Sequence, residues 1–159
     1  MMKKIIFIGR TGAGKTTLTR KIRGDEDRYI KTQYIDYGKS VIDTPGEYAQ
    51  CRDVSSALAL YSYEADVVGL LIAADDEYSI FPPNITCMVN REVIGVITKI
   101  NSPFANISKV KMWLELTGCK EIFYVDSKTG EGIDSLRLYL STEKHNKNNK
   151  KTQKTTKIS

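Results

Sequence analysis

The sequence predicts an α/β domain built on a mainly parallel sheet with helices on both faces. Short apolar runs rich in β-branched residues recur at Lys3–Ile8, Ser40–Asp43, Asp66–Ala73, Val93–Thr98 and Glu121–Val125. Stretches of helical composition separate most of them. Asp66–Ala73 and Val93–Thr98 are almost continuously apolar instead of alternating, which is the pattern of strands covered on both sides. Such a succession folds as strand–helix–strand units whose ligands bind at the carboxyl ends of the strands.

Taken in order, Lys3–Ile8 forms a first strand, ends in a Gly-rich loop and passes into a helix over Lys15–Arg23. Gly24-Asp25-Glu26-Asp27 stops that helix. A polar segment through Gln33 to Tyr37 reads as an exposed loop before the strand at Ser40–Asp43. Tyr48–Tyr63 has helical composition and precedes the strand at Asp66–Ala73. Asp75-Asp76-Glu77 then reads as a solvated loop in preference to a second metal site. After the strand at Val93–Thr98 comes a helix over Ile107–Thr117, closed by Gly118, on which Trp113 and Leu114, beside Leu116, are expected to pack inward. The strand at Glu121–Val125 and a helix over Gly132–Leu140 complete the pattern.

A chain of 159 residues accommodates one domain with a single substantial core, expected here over residues 1–140. No apolar run approaches the ~20 residues a bilayer crossing needs, and Ile5–Ile8 is too short for the apolar part of a secretion signal. Cys51, Cys87 and Cys119 are odd in number and widely spaced, so small buried or partly buried thiols in a reducing cytosol are expected. Residues 141–159 hold six lysines against one acidic residue and carry the whole formal charge of +5. With almost nothing to bury, this tail is expected to be disordered. It reads as a solvated extension that aids solubility, and clustered lysines would also attract shell proteins, RNA or anionic membrane. The sole histidine, His145, lies there and is assigned no role.

The chemistry is concentrated in Gly9-Arg10-Thr11-Gly12-Ala13-Gly14-Lys15-Thr16, with Thr17 following in the helix. A Gly-x-x-x-x-Gly-Lys-Thr pattern between a strand and a helix cradles phosphate. Gly9, Gly12 and Gly14 let the loop wrap so that backbone N–H groups and the positive end of the helix face the anion. Lys15 is expected to reach the β- and γ-phosphates, and the Thr16 hydroxyl to ligate Mg²⁺. About 28 residues on, Asp43-Thr44-Pro45-Gly46 offers a carboxylate for Mg²⁺ through water and a Gly46 N–H to sense the γ-phosphate.

With these motifs in order, the chain resembles the small Ras-like GTPases of ethanolamine and propanediol utilisation, the EutP/PduV family. The resemblance covers nearly all of Met2 to Leu140. Beyond the Gly-rich loop it rests on Tyr29-Ile30-Lys31-Thr32-Gln33, Ile42-Asp43-Thr44-Pro45-Gly46-Glu47-Tyr48, Glu64-Ala65-Asp66 and Val93-Ile94-Gly95-Val96-Ile97-Thr98-Lys99. It implies a three-layer Ras-like P-loop NTPase, GTP/GDP and Mg²⁺ as ligands, and a cytosolic bacterial protein docked on microcompartment shell proteins. No DNA partner is expected.

The resemblance also implies residue roles. Thr32 stands where such proteins place a threonine that closes on Mg²⁺. Thr98-Lys99-Ile100-Asn101 stands in the base-recognition motif, but with Asn101 where an Asp is usual. An Asp carboxylate accepts from guanine N1–H and its amino group, whereas an Asn amide presents one acceptor and one donor group. Asn101 therefore matches half of the guanine pattern and leaves a base with a carbonyl there, such as xanthine, as the alternative. Ser127 and Lys128 fall in the loop that completes the base pocket, with Asp126-Ser127-Lys128 in place of Ser-Ala-Lys. Glu47 takes the position of a water-orienting glutamine; it cannot donate to the γ-phosphate and repels its oxygens, so slow hydrolysis is expected. Arg10 either adds positive charge near the phosphates or points to solvent. A nucleotide-dependent switch, a phosphotransferase to a small acid such as acetate, and a nucleotide-holding scaffold on shell proteins are the three functions compatible with these residues.

Overall fold

The computed structural model describes residues 3–10, 12–23, 41–42, 58–59, 62–63 and 65–141. In chain order these form β1 (Ile5–Gly9), α1 (Lys15–Arg23), β2 (Val41–Ile42), β3 (Val67–Ala73), a 3₁₀ helix (Ile85–Met88), β4 (Glu92–Thr98), α2 (Ile107–Thr117), β5 (Ile122–Tyr124) and α3 (Ile133–Ser141). The five strands make one sheet in the order β2-β1-β3-β4-β5, every pairing parallel.

All residues of β1 and β3 are buried, because helices cover both faces and no side of these strands meets water. Alternation decides the face. Ile6, Ile8, Val68 and Leu70 point toward Val110 and Leu114 of α2. Ile5, Phe7, Val67 and Leu71 point toward Leu18 and Ile22 of α1 and Leu136 and Leu140 of α3. Two apolar layers with the sheet between them are the three-layer α/β arrangement expected from the sequence.

The helix over Ile107–Thr117 forms with the expected limits. The Asn106 side chain accepts from the Lys109 N–H at 3.2 Å, and Gly118, with φ 85°, closes the other end. Leu114 is fully buried and Trp113 packs against the same core, whereas Leu116 is exposed. The 3₁₀ helix was not legible, since Pro82-Pro83-Asn84 precedes a stretch with no periodic apolar pattern. It has a structural use: the Asn84 N–H and the Thr86 hydroxyl donate to the carbonyls of Leu116 and Thr117, each at 2.8 Å, and so satisfy the end of α2.

Register places the carboxyl ends of the central strands side by side. Gly9 pairs with Leu71, Ala73 with Thr98, and Ile97 with Tyr124. The loops that follow β1, β3, β4 and β5 therefore meet at one edge of the sheet. Thr11, Thr32, Asp43, Gly46, Glu47, most of the helix expected over residues 48–63 and the tail beyond residue 141 lie outside the described residues. Cys87 is exposed, contrary to its expected burial, because it lies on the surface of the 3₁₀ helix; Cys119 is partly buried.

Candidate functional site

The loop after β1 turns tightly: the Ala13 N–H donates to the Arg10 carbonyl at 3.0 Å and Gly14 has φ 91°. That left-handed backbone is one a side chain would strain. Gly12 is left-handed as well, and among the described residues an added Cβ there would meet nothing within 4 Å. Lys15 starts α1 and is buried at 7% exposure, while Thr16 and Thr17 are exposed in the first helical turn. The helix thus directs its positive end toward the loop.

Arg10 meets side chains of the loop after β3. Its guanidinium lies 4.7 Å from the Tyr78 ring centroid and 3.7 Å from the Asp76 carboxylate, against the loop after β3. Asp76 also accepts from the Ala73 N–H at 3.1 Å, and Asp75 accepts from the Ser102 hydroxyl at 3.0 Å. The acidic run is thereby a turn-forming element, and among the described residues no three His, Cys, Asp or Glu side chains group as a metal site.

The loop after β4 is fastened to the loop after β1. The Thr98 hydroxyl donates to the Ala13 carbonyl, and the Lys99 ammonium donates to the Gly12 carbonyl at 2.8 Å. Lys99 is left-handed at φ 56°, an uncommon backbone for a residue with a side chain, held here by that ammonium contact and by the turn from the Ser102 N–H to its carbonyl at 3.0 Å.

The loop after β5 is organised by Asp126, which is 6% exposed. One carboxylate oxygen accepts from the backbone N–H groups of Lys128 at 2.8 Å and Thr129 at 3.2 Å. Asn101 lies beside the same carboxylate and helps to stabilise its charge. Burial pushes the Asp126 pKa up, but these hydrogen bonds outweigh it and hold the group below its ordinary 3.8. The Asp126 N–H donates to the Glu131 carbonyl at 2.9 Å, and the Asn101 amide nitrogen donates to the Glu131 carboxylate at 2.9 Å.

These three loops enclose a cavity of about 410 Å³. Gly14 and Thr17 form one wall, Thr98, Lys99 and Asn101 a second, and residues 126–129 a third, with Asp75, Ser102 and Pro103 at the rim. The volume lies in the range of small-ligand sites. Seven candidate residues of the sequence analysis thus line one space: Gly14, Thr17, Thr98, Lys99, Asn101, Ser127 and Lys128. Gly9, Arg10, Gly12, Ala13, Lys15 and Thr16 lie along the adjoining loop and helix start. Sequence reasoning assigned no role to Asp126, Thr129 or Glu131. The signal was Gly130 and Gly132 on either side of Glu131, which mark a shaped loop.

A parallel sheet with a Gly-rich loop between its first strand and helix, and a cavity between that loop and the ends of β4 and β5, defines a P-loop GTPase-like fold. The chain belongs to the PduV-EutP family, described as ethanolamine utilisation–propanediol utilisation, which it matches over residues 2–142. It is 40% identical over 144 residues to the propanediol utilization protein PduV of Citrobacter freundii, covering 89% of this chain and 95% of that one. It is 33% identical over 144 residues to a protein of Escherichia coli strain K12 named probable acetate kinase EutP, covering 89% and 91%. Among solved structures, the apo form of translation elongation factor SelB from Methanococcus maripaludis matches with a TM-score of 0.57 and 24% identity. That match covers 86% of this chain but only 33% of the elongation factor, and is a likeness of fold. No helix among the described residues is long and apolar enough to cross a membrane.

Proposed function

We propose that this protein is a slow, Mg²⁺-dependent GTPase that acts as a nucleotide switch in ethanolamine or propanediol utilisation. The observation that carries the reading is the meeting of the loop after β1 with Thr98, Lys99, Asn101 and residues 126–129 around one cavity. A base in that cavity would extend its phosphates along the open face of residues 12–16, where backbone N–H groups, the start of α1 and Lys15 offer positive charge. Thr98 and Lys99 then act partly through the loop, by fixing the carbonyls of Ala13 and Gly12 and so its shape.

The residues present fit Mg²⁺. An exposed hydroxyl at Thr16 beside a phosphate cradle suits an ion that keeps several waters and shares the phosphates, not an all-protein cage. Thr16 would hold it, with Asp43 and Thr32 completing the set. When bound, the ion neutralises charge on the phosphate oxygens. Gly46 would sense the γ-phosphate, and Glu47 makes hydrolysis slow, on the order of 10⁻³ s⁻¹ or below in the absence of a partner. The proposed GTPase domain occupies residues 1–140, works in the cytoplasm, and uses its basic tail or its switch loops to dock on microcompartment shell proteins.

A second reading, phosphoryl transfer to acetate, is favoured by the name of the Escherichia coli relative. One experiment separates the two. With GTP, Mg²⁺ and the full chain, slow release of inorganic phosphate that acetate leaves unchanged supports the switch. Formation of acetyl phosphate in step with loss of GTP supports the kinase, and absence of both products overturns the enzymatic reading.

A further inference from the structure

Asn101 holds the position from which a base is read, and its amide is not free to turn. Among the described residues its amide nitrogen donates to the Glu131 carboxylate at 2.9 Å, and the Asp126 carboxylate lies close by. Carboxylate oxygens only accept, so the opposite orientation of the amide would set its carbonyl against the Glu131 carboxylate. Asp126 is in turn held by the Lys128 and Thr129 N–H groups, and the Glu131 carbonyl by the Asp126 N–H. The Glu131 carboxylate therefore sits on an ordered loop and claims the donor end of the amide. The carbonyl oxygen is the atom left to meet a ligand in the cavity that Asn101 lines.

This deepens the nucleotide reading and rests on it. We propose that Glu131, on the loop that Asp126 organises, is a positioning residue that locks the Asn101 amide with its carbonyl toward the base, so that the site selects purines carrying a donor at N1 and no carbonyl at C2. Guanine and hypoxanthine meet that requirement. Xanthine sets its C2 carbonyl beside the Asn101 oxygen, while the amide nitrogen is turned to Glu131. Adenine sets a bare N1 lone pair there. The half-match between Asn101 and guanine is thereby resolved by a neighbouring acid instead of by a change of base.

The test is calorimetric titration of the full chain, in Mg²⁺, with GDP, IDP, XDP and ADP, for wild type, Glu131→Ala and Glu131→Gln. In wild type, GDP and IDP are expected to bind within several-fold of each other, and XDP and ADP more weakly by about tenfold or more. Glu131→Ala releases one restraint on the amide and shifts the GDP-to-XDP affinity ratio several-fold toward XDP. Glu131→Gln, whose side-chain oxygen still accepts, keeps the wild-type ratio. A purely structural role for Glu131 would weaken all four nucleotides together. XDP binding wild type as tightly as GDP, or an unchanged ratio in Glu131→Ala, overturns the inference and leaves the nucleotide site standing. Binding of none of the four to folded protein overturns both.

Discussion

Gly132 is left-handed at φ 77°, and an added Cβ would lie 1.9 Å from the Tyr124 carbonyl oxygen. Backbone, not a mobile side chain, occupies that space, so Gly132→Ala must displace either β5 or the loop that carries Asp126 and Glu131. The expected result is a loss of about 1–3 kcal/mol in urea unfolding, together with weaker nucleotide binding, because the same shift opens the base cavity. An unchanged unfolding midpoint with intact binding would contradict it. At this scale the sequence was legible where a motif has fixed spacing. Gly12 to Thr17 and Thr98 to Asn101 were found by pattern, and Gly14, Thr17, Thr98, Lys99 and Asn101 line one cavity. Asp126 and Glu131 were not, because Asp126 acts through bonds from the backbone of its own loop and Glu131 meets Asn101 across 30 residues, which no local period encodes.

Elements are secured at the opposite edge of the sheet. Glu92, at the start of β4, accepts from Lys3 at 3.3 Å and from Lys120 at 3.2 Å, and the Tyr139 hydroxyl of α3 lies near it. Burial pushes the Glu92 pKa up, but these partners outweigh burial and hold it below 4.5. Tyr139 moves the other way, since burial and the nearby carboxylate both disfavour its phenolate. A lowered Glu92 pKa stabilises the fold fully above about pH 4.5, and the contribution is lost as pH falls through the folded-state value. Urea midpoints measured between about pH 3 and pH 6 should therefore decline on the acid side, and Glu92→Gln should be less stable near neutrality with a shallower decline. Equal slopes for the two proteins would contradict the assignment. The elements themselves were largely readable. β1, β3, β4, α1 and α2 announced themselves by continuous apolar runs or helical composition. β5 is shorter than its apolar run, Ile122–Tyr124 against Glu121–Val125, as suits a strand at the edge of the sheet.

At the scale of the molecule, parallel strands, two apolar layers and loops converging at one edge follow from the alternation of strand and helix, and the fold class was correctly anticipated. Strand order was not, since the placement of β1 between β2 and β3 depends on long-range pairing that single-segment patterns do not contain. The same convergence is what turns separate motifs into a cavity. Under the proposed function its central consequence is that Lys15, buried at the start of α1 beside the loop, and the residues lining the cavity would serve one ligand.

Isothermal titration of GDP and Mg²⁺ into wild type and Lys15→Ala, with circular dichroism confirming that both are folded, tests that claim most directly. The predicted result is one nucleotide per chain in wild type and an affinity lower by about 10- to 100-fold in the variant, the effect of losing a charge-assisted contact to phosphate. Binding that is equal in the two proteins, or absent from folded wild type, would contradict it.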